Sequence, residues 1–325
     1  MQTILAVTIP FFALVLCGYL GAQRRILPEV AIPGLNAYVL FFALPCLLFR
    51  FGSSMPFAQL IDPSLIAIYA VSALLVVVFT IAATLRRNES AAQGVDLKNA
   101  AFGALVAAFP NTGFMGVPLL AALFGPTIVG PMIATILIDM FVTTSLCIAL
   151  AQAGDAAGGA RAAAVRSLRG ALSNPMPWAI ALGGVLGALG WRPAGPVDAV
   201  VKMLADAATP VALFTIGAVL WRAGQHAHTR TALKRYVPQA LGKLLLHPAL
   251  VFALALAARA GGAPLTDLQI TAITLTAALP SAANVAMLAE RFGADNGRIA
   301  RIILTSTTLS FVSFTSLAWW FGAGR

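Results

Sequence analysis

Apolar runs of about twenty residues, the length a helix needs to cross a hydrocarbon layer, recur along the whole of this sequence. Short gaps carrying proline, glycine or charge separate them. Of the 325 residues, 60% are hydrophobic and only 10% charged, against roughly 45–50% and 25% in soluble domains. Folded in water, such a chain would leave much of that surface exposed. The pattern excludes a disordered chain, a disulfide scaffold and an ordinary cytosolic enzyme. The runs are too long, and too poor in alternation, for a membrane barrel. An all-α polytopic membrane protein is predicted.

Ten spans are expected, over residues 3–21, 33–51, 64–85, 99–123, 127–150, 175–190, 200–220, 236–258, 268–289 and 298–321. The sixth is short and needs protein cover or a thinned bilayer. No Lys or Arg precedes Arg24, so a leader's basic segment is missing and the first run is expected to stay as a span. The gaps after odd-numbered spans hold Arg24 and Arg25, then Arg86, Arg87 and Lys98, then Arg161, Arg166 and Arg169, then Arg222, Arg230, Lys234 and Arg235, and finally Arg291, Arg298 and Arg301. Those fifteen face four on the other side: Arg50, Arg192, Arg259 and Arg325. The positive-inside rule then puts both termini on the extracytoplasmic side of the plasma (inner) membrane. The net charge of +10 is dispersed in these gaps, which suits lipid headgroups and not nucleic acid.

The halves repeat. Ala43, Pro45, Leu48, Phe49 and Gly52 of span 2 recur at the same offsets as Ala208, Pro210, Leu213, Phe214 and Gly217 of span 7. Gly18 and Gly21 of span 1 match Gly184 and Gly187 of span 6, and Pro110-Asn111 of span 4 matches Pro280-Ser281 of span 9. Five spans per half force the halves to face opposite ways, an inverted 5+5 repeat common in secondary transporters. Residues 1–150 form the first repeat, 151–174 a cytoplasmic linker and 175–325 the second.

Spans 4 and 9 are expected to break at Pro110 and Pro280. Proline removes a helical donor and crowds the preceding turn, and such breaks persist in membranes only where they face protein or a wet cavity. Polar residues follow at once: Asn111 and Thr112 in one, Ser281 and Asn284 in the other. Half-helix N-termini suit an anion, and an asparagine amide donates to a carboxylate without charge of its own. Paired interruptions at matching places point to a transport site.

The stretch Phe109-Pro-Asn-Thr-Gly-Phe-Met-Gly-Val-Pro-Leu-Leu120, with Ala-Leu-Phe-Gly125 after it, resembles the fourth span of the auxin efflux carrier family. Phe42-Ala-Leu-Pro45 to Phe51-Gly-Ser-Ser54 and Ala278-Leu-Pro280 resemble it too. That family holds plant PIN-type auxin exporters and bacterial permeases assigned to malonate or malate. The resemblance implies ten helices, a scaffold domain, a transport domain whose spans 4 and 9 cross at their prolines, homodimers and elevator-like movement. It implies that Asn111 holds a substrate carboxylate. Asp139 falls where the plant exporters carry a site glutamine and Leu48 where they carry a serine, departures that weigh against auxin itself.

Asp139 lies mid-span, where a charge costs about 2.5–3.5 kcal/mol on insertion scales, so it is expected to face protein or water as substrate contact, proton carrier or both. Lys243 and His247, one helical turn apart in span 8, join it as coupling candidates. Lys202 and Asp206 are spaced to pair on the helix surface. Cys17, Cys46 and Cys147 read as small hydrophobes. His226 and His228 are a weak metal signal, and no metal or cofactor is expected. No H-E-x-x-H, G-x-S-x-G or P-loop occurs, which argues against an enzyme. The expected function is secondary active transport of small organic anions, mono- or dicarboxylates. A sodium- or proton-coupled exchanger or bile-acid-type symporter on a similar fold, or a non-transporting membrane sensor, are the alternatives.

Overall fold

The computed structural model describes residues 2–55, 62–86, 95–153, 162, 165, 168–170, 172–191, 193–225 and 232–323. His226, His228, most of the 151–174 linker, and Arg87, Arg161, Arg166, Arg192, Arg230 and Arg325 of the charge count lie outside the described residues. The described residues are helical, with no strand among them beyond one isolated two-residue bridge.

Among the described residues, seven helices are long and apolar enough to cross a membrane. They are α1 (Gln2–Gln23), α2 (Ala31–Ser54), α3 (Pro63–Arg86), α6 (Pro126–Ala151), α8 (Pro196–Gln225), α9 (Val237–Ala260) and α12 (Asn296–Trp320). Between them, among the described residues, lie the shorter α-helical segments α4 (Leu97–Ala108), α5 (Thr112–Phe124), α7 (Pro175–Ala188), α10 (Asp267–Ala277) and α11 (Asn284–Arg291). The fourth and ninth expected spans are therefore each two short helices in series, α4 with α5 and α10 with α11. Caps explain several starts. Asp96 accepts from the Asn99 N–H before α4, Asn174 from that of Met176 before α7, and Thr266 and Gln269 form a capping box before α10. Exposed apolar side chains line the outer faces, such as Val71, Leu75, Val78 and Phe79 on α3 and Trp178, Leu182 and Val185 on α7. Their natural solvent is lipid.

The helices sort into two packed groups. One comprises α1, α2, α7 and α8; the other comprises α3, α4, α6, α9, α10, α11 and α12, and α5 touches both. Glycine sets the spacing in the first. A Cβ on Gly18 would sit 1.9 Å from the carbonyl oxygen of Phe214, and one on Gly217 only 1.8 Å from that of Val15. The α2–α7 contact repeats this: a Cβ on Gly183 would sit 2.4 Å from the Phe49 carbonyl oxygen, and one on Gly52 2.9 Å from that of Ile180. Gly18 and Gly183, Phe49 and Phe214, Gly52 and Gly217, and Val15 and Ile180 are each 165 residues apart. Small residues let helix backbones touch, which matters in lipid, where packing drives association.

Gly217→Val should therefore force α1 and α8 apart, at about 1–3 kcal/mol or more, and lower the melting temperature of the detergent-solubilised protein. Gly34→Ala, in α2 with nothing within 4 Å of the added methyl, should leave it equal or slightly higher. Equal melting temperatures for Gly217→Val and the wild type would show that the close approach is not needed.

Candidate functional site

Helix α4 ends at Ala108 and helical structure resumes at Thr112; α10 ends at Ala277 and α11 begins at Asn284. The two non-helical stretches lie antiparallel. The Asn111 N–H donates to the Pro280 carbonyl at 2.9 Å, the Ala282 N–H donates to the Phe109 carbonyl at 3.0 Å, and Pro110 and Ser281 form the bridge. The Ser281 N–H donates to Ser306 Oγ of α12 at 3.2 Å. Pro110 and Pro280 have no N–H to satisfy. Each non-helical segment thus takes its hydrogen bonds from the other, as backbone out of reach of water must.

A cavity of about 630 Å³ opens beside this junction. Its floor is Pro110, Asn111, Thr112, Gly113 and Phe114. Asn111 is the N-cap residue of α5, yet its amide makes no capping bond, and Thr112 Oγ1 is buried without a hydrogen-bond partner among the described residues. The first N–H groups of a helix have no intrahelical acceptor and carry partial positive charge. One wall is the 284/287/288/291 face of α11, carrying Asn284, Met287, Leu288 and Arg291 at helical spacing. The opposite walls are mostly apolar and include Leu40, Met140 and Met176. No Asp or Glu stands among the described lining residues. The Thr112 N–H donates to the Pro110 carbonyl at 2.9 Å. Amide and hydroxyl groups, the positive end of α5 and one guanidinium around apolar walls suit a small organic anion.

Asp139 does not line the cavity. It lies in a second, fully buried cluster behind the junction. Tyr69 of α3 donates its hydroxyl to Asp139 Oδ2 at 3.0 Å, and Thr143 Oγ1 donates to Oδ1 at 3.3 Å. Lys243 of α9 interacts electrostatically with Asp139. Its Nζ donates to the Ala277 carbonyl at 2.6 Å and lies 3.3 Å from His247 Nδ1. The His247 ring packs near Tyr69, centroids 5.7 Å apart, and its Nε2 lacks a partner among the described residues. Both charged residues sit in π-helical turns, Asp139–Thr143 and Gly242–Leu246. Such single π turns re-aim side chains inside α-helices. Ala277 is the last residue of α10, so the ammonium meets the negative end of the interrupted helix, and the Asp139 carboxylate offsets its charge.

The sequence candidates thus divide three ways. Pro110, Asn111, Thr112 and Asn284 line the cavity; Pro280 and Ser281 are buried and bind its floor through the backbone. Asp139, Lys243 and His247 form the cluster behind it, tied to the junction through Ala277. Leu48 is buried in the helix core and is not among the described lining residues of the cavity. Arg291, Met287, Met140 and Met176 line the cavity without having been singled out. The i, i+3, i+4, i+7 spacing from Asn284 to Arg291 was the available signal. Lys202 pairs with Asp206 at 2.9 Å on the surface of α8, and Arg50 pairs with Asp198 at 3.1 Å.

Residues 3–318 match a family described as membrane transport protein, the auxin efflux carrier family. A protein of Rhizobium meliloti (strain 1021) named "Putative malonate transporter" is 30% identical, over 100% of this chain and 98% of that one. A transporter of Methanothermobacter thermautotrophicus is 27% identical, over 96% and 95%, and YfdV, a transporter of Escherichia coli (strain K12), is 24% identical, over 94% and 93%. This chain belongs to the membrane transport protein family and is a multi-pass membrane protein.

The buried cluster generates a double-mutant test. Lys243→Ala strands the Asp139 charge and the Ala277 carbonyl, at about 3–5 kcal/mol. Lys243→Ala combined with Asp139→Ala should then be less destabilising than the sum of the single changes, read from melting of the solubilised protein. Additive losses would mean the two charges are not coupled.

Proposed function

We propose that this chain, a membrane transport protein, is a secondary carrier of small organic anions, mono- or dicarboxylates, that works by alternating access. The carrying observation is the acid-free cavity whose floor is Asn111 and the start of α5, at the place where two interrupted helices pair. One substrate carboxylate would accept hydrogen bonds from the Asn111 amide and from the N–H groups of Gly113 and Phe114 in the first turn of α5. The malonate name of the Rhizobium meliloti relative agrees with that chemistry.

The architecture behind the proposal is a ten-span inverted repeat, residues 1–150 and 175–325, with spans 4 and 9 cut by Pro110 and Pro280 and crossing there. The 165-residue shift supports it, because the contacts of Gly18 and Gly217 recur at Gly183 and Gly52. The group holding the junction would move against α1, α2, α7 and α8 as an elevator. Gln152, Asn174 and Arg291 at the cavity mouth lie at span ends that the basic residues assign to the cytoplasm, so the described conformation would face inward. The Asp139–Lys243–His247 cluster would couple a proton to this movement, since it joins α3, α6 and α9 to the end of α10. A sodium site would need further acids there; no group of three His, Cys, Asp or Glu suited to a metal occurs among the described residues.

Reconstituted in liposomes, the protein should take up labelled carboxylates saturably. Asn111→Ala should lower uptake about tenfold to a hundredfold while leaving the fold intact. Undiminished transport would remove Asn111 from the site. Asp139→Asn should abolish or alter the response to an imposed pH gradient, and an unchanged response would make the cluster structural.

A further inference from the structure

We propose that Arg291 is the second anchor of the cavity and sets its preference for a dianion, a short dicarboxylate held at both ends, over a monocarboxylate. This rests on reading the cavity as the site of an organic anion.

The face of α11 that lines the cavity is a chemical ladder. Asn284 stands at the junction end, Met287 and Leu288 follow, and Arg291 stands at the mouth. Seven residues of helix place the two polar ends about 10 Å apart along the axis. Helical side chains lean toward the N-terminus of their helix, so the Arg291 guanidinium leans back toward Asn284 and the floor. Arg291 has no ion-pair or hydrogen-bond partner among the described residues. The neighbouring acid is already engaged: Glu290 faces Arg222 of α8 at 3.7 Å, and Arg222 also faces Glu29 at 3.5 Å. Among its described lining residues the cavity therefore holds one cation without a described counter-charge, and no acid.

A monocarboxylate uses the floor alone, with its apolar tail along Met287, Leu288, Met140 and Met176. A dicarboxylate places its second charge against those same walls, where an unpaired carboxylate is costly. Arg291 removes that cost with a planar fork that matches a carboxylate in two parallel hydrogen bonds. A competing role, stabilising the C-terminal turn of α11 through its dipole, would act on the fold and not on substrate choice.

The test compares KM and kcat in proteoliposomes for malonate against propionate and succinate against butyrate, each pair matched in carbon number. Wild type should favour the diacid of each pair. Arg291→Gln should raise KM for the diacids about tenfold or more, leave kcat and both monoacid values unchanged, and melt at the wild-type temperature. Arg291→Lys, which keeps the charge but not the fork, should fall between. A variant that weakens diacids and monoacids alike, or neither, overturns the proposal, as does equal affinity for both classes in the wild type. Monoacid transport that is lost in Asn111→Ala but indifferent to Arg291 would leave the anion-carrier reading standing and remove only the Arg291 anchor. Uptake of neither class would overturn both.

Discussion

A main chain that leaves its helix away from water must find partners for its N–H and C=O groups, and here two such stretches supply each other. Asn111 donates to Pro280, Ala282 donates to Phe109, and Ser306 takes the remaining N–H of Ser281. In hydrocarbon an unsatisfied group costs several kcal/mol, so neither interruption could stand alone. Their pairing leaves the start of α5 turned toward the cavity, with the amide of Asn111 free of capping duty. The same pairing that makes the interruption tolerable thus leaves polar groups facing the cavity, which is where the proposed anion would bind.

The charges follow from the same constraint. Ending α10 inside the helix packing leaves carbonyls at its negative pole, and Lys243 donates to the last of them. A buried ammonium needs a counter-charge, and Asp139 supplies it while Tyr69 and Thr143 occupy the carboxylate oxygens. Four helices are joined at one point as a result. The other helix group is built by the opposite means, with glycines that bring backbones into contact. Arg222 reaches between the groups, to Glu290 at the end of α11 and to Glu29 before α2, through partly exposed pairs that break at little cost.

Helix positions were legible because each apolar run is about a bilayer long and closes at Pro, Gly or charge. The expectation of a break in the fourth and ninth runs rests on Pro110 and Pro280, each followed by a side chain able to hydrogen-bond. Which segments would pair could not be read from the sequence, since pairing is long-range. Asp139 illustrates the limit: its depth was readable, but its direction, toward Tyr69 and not the cavity, was not, and it sits in a π turn that hydropathy does not reveal. Arg291 was counted as a topology signal because it follows a span, and only the packing of α11 turns its face inward. The glycines show a subtler limit. Matching letters align Gly18 with Gly184, while the equivalent contact belongs to Gly183, because identity ignores which face of a helix meets a neighbour.

The central claim is that the two interruptions meet at the floor of a watered cavity open to one face of the membrane. Gly113, beside the junction, has room for a side chain, the nearest atom to an added Cβ being Met176 Cε at 3.5 Å. With Cys17, Cys46 and Cys147 replaced, Gly113→Cys should react with a small membrane-impermeant thiol reagent applied from the cytoplasmic face, and a transported carboxylate should slow that reaction. Val78→Cys, on the outer face of α3 where Val78 is 63% exposed, should not react from either side. If Gly113→Cys proves as inert as Val78→Cys from both faces, the junction is dry and the account is contradicted.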